Sequence, residues 1–236
     1  LGIVKEGVPL VTAIENKQLY PLFYEVTSRK NSRLKILDFS LVSDVSVGEV
    51  TTFRYRNEPY ELQLPGMHQV KNACLAIEAV RILRLRNQIR ISEQNIKRGL
   101  RMTTWPGRFE IFNHNIVLDG AHNIGGIESL KQTLAAMFPG RYVKCLFCMM
   151  KDKEHAKIIA ELDNVVDEFH FTEIEYPRRA DAIELYNESH HENKHVHHDF
   201  KAIFKALERL LKEDEVLLVT GSLYFISEIR KLIVQE

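Results

Sequence analysis

The sequence predicts an α/β protein in two parts, the second built on a mainly parallel sheet. Three observations carry this. From residue 108 onward, short apolar β-type runs alternate with amphipathic helical stretches, the order that a parallel sheet with crossover helices requires. Residues 48–66 alternate β-branched or aromatic residues with polar ones around Asn57-Glu58-Pro59, which predicts an antiparallel hairpin. Between these regions lies Thr103-Thr104-Trp105-Pro106-Gly107, whose Pro-Gly pair reads as a linker. The expected division is residues 1–104 and 105–236.

The elements follow in order. Residues 10–14 form a short strand, and Glu15 to Arg29 a helix, with apolar residues at 19, 22, 23 and 26 on one face. Residues 34–40 are a second strand, followed by the hairpin. "HQVKNACLAIEAVRILR" is a helix whose apolar face is Val70, Ala73, Leu75, Ile77, Val80 and Leu83, and Ser92 is placed to cap the next helix. In the second part the strands are RFEIF, NIVLDG, VKCLFCMM, EFHFTE, HVHH and EVLLVTG. Helices are expected near 124–137, 153–166, 179–189, 200–212 and 223–234.

Bulk composition narrows the function. Lys+Arg and Asp+Glu both number 32 in 236 residues, so the chain is neutral and is not built as a bulk polyanion binder; no nucleic acid partner is expected. No apolar run approaches the roughly 18 residues of a membrane span, and no secretory signal opens the sequence. Three irregularly spaced cysteines argue against a disulfide scaffold and for a reducing, cytoplasmic location. The opening Leu1-Gly2-Ile3-Val4-Lys5, without Met, reads as the interior of something longer.

In an open parallel sheet, ligands gather at the carboxyl ends of the strands. Those ends carry Asp119-Gly120-Ala121-His122-Asn123, Lys151-Asp152-Lys153 and Thr220-Gly221-Ser222. Each group lies at a strand-to-helix turn, where unpaired helix N–H groups favour anions. His122, Asn123 or Ser222 could equally serve as helix caps. Asp119 is the sharpest signal, because a carboxylate closing an apolar strand must be solvated, paired or used. Arg108, directly after the linker, either reaches a phosphate or pairs with Glu110 on the same strand face. In the first part, "LPGMHQVKN" ends a strand in Pro-Gly and opens a helix with His68, Gln69 and, one turn on, Asn72. The Asn72 amide offers both a donor and an acceptor to a base edge, or the group is simply a polar first turn.

Three features point elsewhere. His190, His191, His195, His197 and His198 fall within nine residues, but the polar "NESHHENK" stretch around them reads as an exposed loop rather than a zinc site. Cys145 and Cys148, three apart on an apolar strand, point to opposite faces and read as buried core thiols. Residues 81–101 hold seven Lys/Arg against one Glu, a solvated basic helix face.

"LGIVKEGVPLV", "LPGMHQVKNACLAIEA", "WPGRFE", "VLDGAHN", "MKDKE", "YPRRA" and "VTGSLYFISEI" resemble, in this order, the folylpolyglutamate synthase/dihydrofolate synthase family of Mur-type ligases. The resemblance implies the last part of a central ATPase domain over residues 1–104. It implies a Rossmann-like C-terminal domain over 105–236. It also implies a monomeric, cytoplasmic enzyme of folate biosynthesis and one-carbon metabolism. Such enzymes use ATP and Mg²⁺ to phosphorylate a folate carboxyl group, and the amine of glutamate then displaces the phosphate. By the same resemblance, Asn72 contacts adenine with His68 and Gln69 nearby, and Arg108 touches the ATP phosphates. His122 reaches the nucleotide, Asp119 orders the closed site around nucleotide and amine, and Ser222 lies near the incoming glutamate. Lys5 lies just past the family's metal-region lysine and takes no role.

The sequence departs from the family in three respects: the carbamate-bearing lysine of many relatives and the folate-binding loops are expected ahead of Leu1, and the phosphate loop is absent. Relatives carry a G-x-x-x-x-G-K-S/T loop that cradles phosphate and holds Mg²⁺ through its hydroxyl, and no Gly-Lys pair occurs among the 236 residues. The polypeptide by itself is therefore expected to be inactive. Two other readings remain: a cell-wall Mur ligase acting on a UDP-linked sugar, and a non-catalytic module that binds nucleotide or a partner protein.

Overall fold

A computed structural model describes every residue except Asn87 and Glu236. The chain forms two compact units, Leu1–Thr103 and Thr104–Glu236.

The first unit opens with strand β1 (Leu10–Thr12), helix α1 (Tyr20–Arg29) and strand β2 (Leu34–Ile36), with β1 and β2 parallel and Leu10 opposite Leu34. Pro21 sits in the first turn of α1, where its missing N–H costs nothing. Then β3 (Val42–Ser46), β4 (Thr51–Tyr55) and β5 (Glu58–Leu62) make an antiparallel meander. The β4–β5 turn is Arg56-Asn57, both at positive φ (54° and 65°), so Tyr55 pairs with Glu58. It falls one residue before the turn the sequence predicted. The inward residues Phe53, Tyr55, Tyr60 and Leu62 bury against Val70, Ala73, Cys74 and Ile77 of α2 (Met67–Leu85). Helix α3 (Glu93–Met102) follows, and the Ser92 hydroxyl accepts the Asn95 N–H at 3.1 Å as its cap. The basic stretch is less bare than its charge count suggests. Glu93 takes Arg81 and Arg84 at 3.0 and 3.4 Å, and Lys97 and Arg101 pair with Glu58 and Glu61 across to β5.

The second unit is a six-stranded sheet. Its strands are β6 (Glu110–Phe112), β7 (Ile116–Asp119), β8 (Tyr142–Phe147), β9 (Glu168–Phe171), β10 (Lys194–Val196) and β11 (Glu215–Thr220). They lie in the order β10-β9-β8-β11-β7-β6, all parallel except β6, which pairs antiparallel with β7. Side chains alternate between two cores. On one face Val117, Cys145, Phe147, Phe169, Phe171 and Leu218 pack against α4 (Ile124–Met137), α5 (His155–Leu162) and α6 (Ala182–Glu188). On the other face Ile116, Leu118, Leu146, Leu217 and Val219 meet α7 (Phe200–Leu210) and α8 (Leu223–Val234). Each fully buried Phe or Leu here contributes about 1.5–3 kcal/mol. Cys145 belongs to the first core and Cys148 to the second, both fully buried, as their spacing predicts. Among the described residues no helix is long and apolar enough to cross a membrane.

Candidate active site

The strand order of the second unit creates a crevice. After β7 and β8 the chain turns to the face of α4 and α5, whereas after β11 it turns to the opposite face and α8. The loops that leave the carboxyl ends of β7, β11 and β8 therefore diverge, and the gap is where open α/β sheets bind ligands. A cavity of about 130 Å³ lies there. His122 lines it from the β7 turn, Asp152 and Lys153 from the β8 turn, Gly221 and Ser222 from the β11 turn, Tyr224 from the first turn of α8, and Arg178 from the loop before α6.

Ser222 occupies the N-cap position of α8, yet its side chain does not cap the helix. The residue is 2% exposed, and its Oγ has no hydrogen-bond partner. A buried hydroxyl left unpaired costs about 1–3 kcal/mol, so such a group at a cavity wall points to a ligand. Gly221 brings it there. With φ at +104°, a Cβ on Gly221 would sit 2.5 Å from the Cys148 carbonyl oxygen, so only glycine lets β11 pass so close to the end of β8. Lys153 and Arg178 supply positive charge; both stand near Asp152, at 3.6 and 3.8 Å, in loose exposed pairs worth little energetically. Tyr224 stacks on Tyr176 at 4.3 Å and also borders a larger open groove of about 1200 Å³.

Asp119 is a brace. Its Oδ2 accepts the Phe109 N–H at 2.9 Å and its Oδ1 the Ala121 N–H at 2.8 Å. Burial pushes its pKa up to about 6, against the pull of those two amides and of nearby Arg108 and His122. Phe109 adopts φ +46°, an unusual conformation for a bulky residue, and its ring stacks on Phe138 at 6.4 Å. Arg108, just before it, is exposed and makes no ion pair among the described residues. The alternative partner, Glu110, is committed elsewhere: both its oxygens lie 3.0 Å from Arg230 Nε, and one accepts the Gly107 N–H. His122 is half-buried with Nδ1 2.8 Å from the Gly120 carbonyl, so Nδ1 carries the proton and Nε2 is left as an acceptor. Asn123, not His122, caps α4, through the Gly126 N–H at 2.9 Å.

In the first unit, Gly66 at φ +106° precedes α2, whose first turns carry His68, Gln69 and Asn72. Asn72 is exposed and donates to Gln69 Oε1 at 3.1 Å, and its side-chain oxygen remains free to accept. The histidine-rich segment is not a plain exposed loop. Lys194–Val196 is the edge strand β10, and the ring nitrogens of His191 lie 3.0 Å from the Asn193 and Val166 carbonyls. His195 and His197 stack on His170 of β9 at 5.0 and 5.3 Å. Arg178 escaped sequence reading as a site residue. Only the return of its loop over the β8 turn, through the Met150–Arg179 bridge, brings it to the crevice.

The comparisons give the class of this unit: residues 107–223, most of it, match the family of the Mur ligase, glutamate ligase domain. Within that class the chain is a relative of folylpolyglutamate synthase/dihydrofolate synthase. It is 34% identical to the Bacillus subtilis dihydrofolate synthase/folylpolyglutamate synthase over 98% of this chain and 56% of that protein. The crystal structure of folylpolyglutamate synthase from Thermotoga maritima superposes with TM-score 0.79 at 28% identity, over 99% of this chain and 56% of its own. A bifunctional folylpolyglutamate synthase/dihydrofolate synthase with Mn, AMPPNP and L-glutamate bound shares the fold at TM-score 0.78 and 21% identity, over 100% of this chain and 55% of its own. The chain thus spans about half the length of the relatives it matches.

Proposed function

We propose that this chain carries the glutamate-accepting side of an ATP-dependent ligase that adds glutamate to folates. The observation that carries the reading is the buried, unpartnered Ser222 hydroxyl in a cavity flanked by Lys153 and Arg178. That set suits an anionic amino acid. The two cations attract its carboxylates, the hydroxyl donates to one of them, and the N-terminus of α8 adds a favourable dipole.

In the proposed reaction the folate carboxylate takes the γ-phosphoryl group of ATP and ADP leaves. The unprotonated glutamate amine then attacks the carbonyl carbon; the C–N bond forms, the C–O bond to phosphate breaks, and the amine loses a proton. His122 Nε2, held as an acceptor at the crevice wall, is placed to take that proton. Arg108, exposed and unpaired, is the residue offered to the ATP phosphates, with Asp119 holding its loop in place. Asn72, with His68 and Gln69, is offered to adenine through its exposed amide. Mg²⁺ finds no ligand set at the crevice: Asp119 is committed to two amides, and Asp152 lies with Lys153 and Arg178. Three cysteines, all unpaired and buried, support a cytoplasmic setting.

Calorimetric titration of the chain with L-glutamate tests the reading. Saturable binding that disappears in Ser222→Ala and weakens in Arg178→Ala is expected. Binding unchanged in both variants would place glutamate elsewhere.

A further inference from the structure

Beside the crevice, at the start of α5, His155 converges with Glu184 and Glu188 of α6. Each offers one donor atom, and the three donors lie within 4.8 Å of one another, the one such group of three among the described residues. His155 is the first residue of α5, and Glu184 and Glu188 stand one turn apart on α6. The helices are fixed by a shared core that includes Ile158, Ile159, Leu162 and Leu185, so the convergence is a property of the fold rather than of a loop.

The chemistry of the three atoms is unusual for a plain surface cluster. The His155 side chain is 6% exposed, and its Nε2 lies 2.8 Å from the Met150 carbonyl oxygen. That contact assigns the proton to Nε2 and leaves the Nδ1 lone pair aimed at α6. Across from it, 3.5 Å away, is Glu188 Oε2, a fully buried oxygen with no hydrogen-bond partner. Two buried lone pairs that face each other need a positive charge between them: a proton on the imidazole, or a cation. Glu184 is exposed and makes no ion pair among the described residues, so its carboxylate can swing inward as a third donor.

We infer that His155 Nδ1, Glu184 and Glu188 form a binding site for a divalent transition-metal ion of the Zn²⁺ class. One imidazole and two carboxylates are a borderline donor set that suits such ions better than Ca²⁺ or Mg²⁺, which prefer oxygen ligands alone. Bonds of about 2.1 Å in a tetrahedral arrangement require donors roughly 3.4 Å apart, a closure that side-chain rotation at Glu184 and Glu188 supplies. The Met150 carbonyl is the outer partner that metal-bound imidazoles commonly have, fixing the ring tautomer. Three protein donors leave positions for water. Because that carbonyl belongs to the turn after β8, the ion would clamp the segment from Met150 to His155, which includes Lys153 of the crevice.

The test is equilibrium dialysis of chelator-stripped protein against Co²⁺ and Zn²⁺, with metal analysis and the visible spectrum of Co²⁺ as readouts. One ion per chain is expected. Glu184→Gln and Glu188→Gln should each weaken binding by roughly tenfold or more, the loss that even outer-shell changes bring. His197→Gln, in the separate imidazole stack, should leave binding unchanged. Absence of stoichiometric binding would mean that a proton bridges His155 and Glu188 and would overturn the site. So would binding that survives Glu188→Gln and is lost in His197→Gln. Glu184 is exposed, so its variant tests the site without a folding defect.

Discussion

Asp119 and Phe109 are joined by a buried hydrogen bond of 2.9 Å, from the Phe109 N–H to the carboxylate at the end of β7. The same carboxylate takes the Ala121 N–H, so one side chain ties the strand end to the segment that carries Arg108 on one side and His122 on the other. It shapes the site without standing in the cavity.

The brace has a pH signature. Burial holds the Asp119 pKa near 6 in the folded protein, against 3.8 as the ordinary value. Between these values the folded state keeps a proton that the unfolded state has released, so stability falls as pH rises. The contribution is full below pH 3.8, declines through pH 6 and then levels, amounting to about 3 kcal/mol at about 1.4 kcal/mol per pH unit. Urea unfolding of wild type and Asp119→Asn from pH 4 to 8 checks this. The stability of wild type relative to the variant should drop across the window; a flat difference would show that Asp119 ionises normally.

Arg108→Ala should cut turnover in a complete ligase carrying this sequence, by about 10²-fold if the guanidinium meets developing phosphate charge. Arg108 is exposed and unpaired, so thermal unfolding should shift little. Steady-state rates beside a melting curve separate the two effects, and unchanged activity would end the phosphate role.

How much of this was legible in the sequence varies with the length scale of the cause. The strands and helices after residue 108 were readable because buried parallel strands are apolar throughout and their helices are not. Strand β3, VSDVS, was missed. It is an edge strand with a register shift and Asp44 at φ +51°, and it buries too little to leave an alternating pattern. At the site, the polar strand ends announced Asp119, His122 and Ser222, but not which of them acts as a brace. That depends on Phe109 pairing across a hairpin. The choice between Arg108 and Arg230 as the partner of Glu110 spans 120 residues, which no local pattern encodes. The linker was placed at Thr103 to Gly107, and the units divide at Thr103–Thr104.

Gly221→Ala should destabilise the second unit by at least about 1–3 kcal/mol, because φ +104° disfavours any side chain and the new methyl would meet the Cys148 carbonyl at 2.5 Å. Equilibrium unfolding measures it. A variant as stable as wild type would mean that the β11 turn has room to move.

The 236-residue polypeptide by itself should not hydrolyse ATP in a folate- and glutamate-dependent manner, because it contains no G-x-x-x-x-G-K-S/T loop to cradle phosphate. A coupled ADP-release assay with all three substrates decides it, and dependent turnover above background would refute the expectation.

Ser222→Ala separates the glutamate site from the nucleotide site. The hydroxyl is 2% exposed and unpartnered, so its removal should leave stability unchanged or slightly improved, in contrast to the loss that follows removal of a bonded group. In a complete ligase carrying this sequence, the Michaelis constant for glutamate should rise about tenfold, the effect of one lost hydrogen bond to a charged group at about 1.5 kcal/mol. That for ATP should hold within twofold, because Arg108 does not line the crevice around Ser222. Equal effects on both constants would mean that Ser222 positions the α8 turn for the whole site rather than binding the amino acid. A variant with lower stability and unchanged constants would mean that the hydroxyl has an internal partner and no ligand.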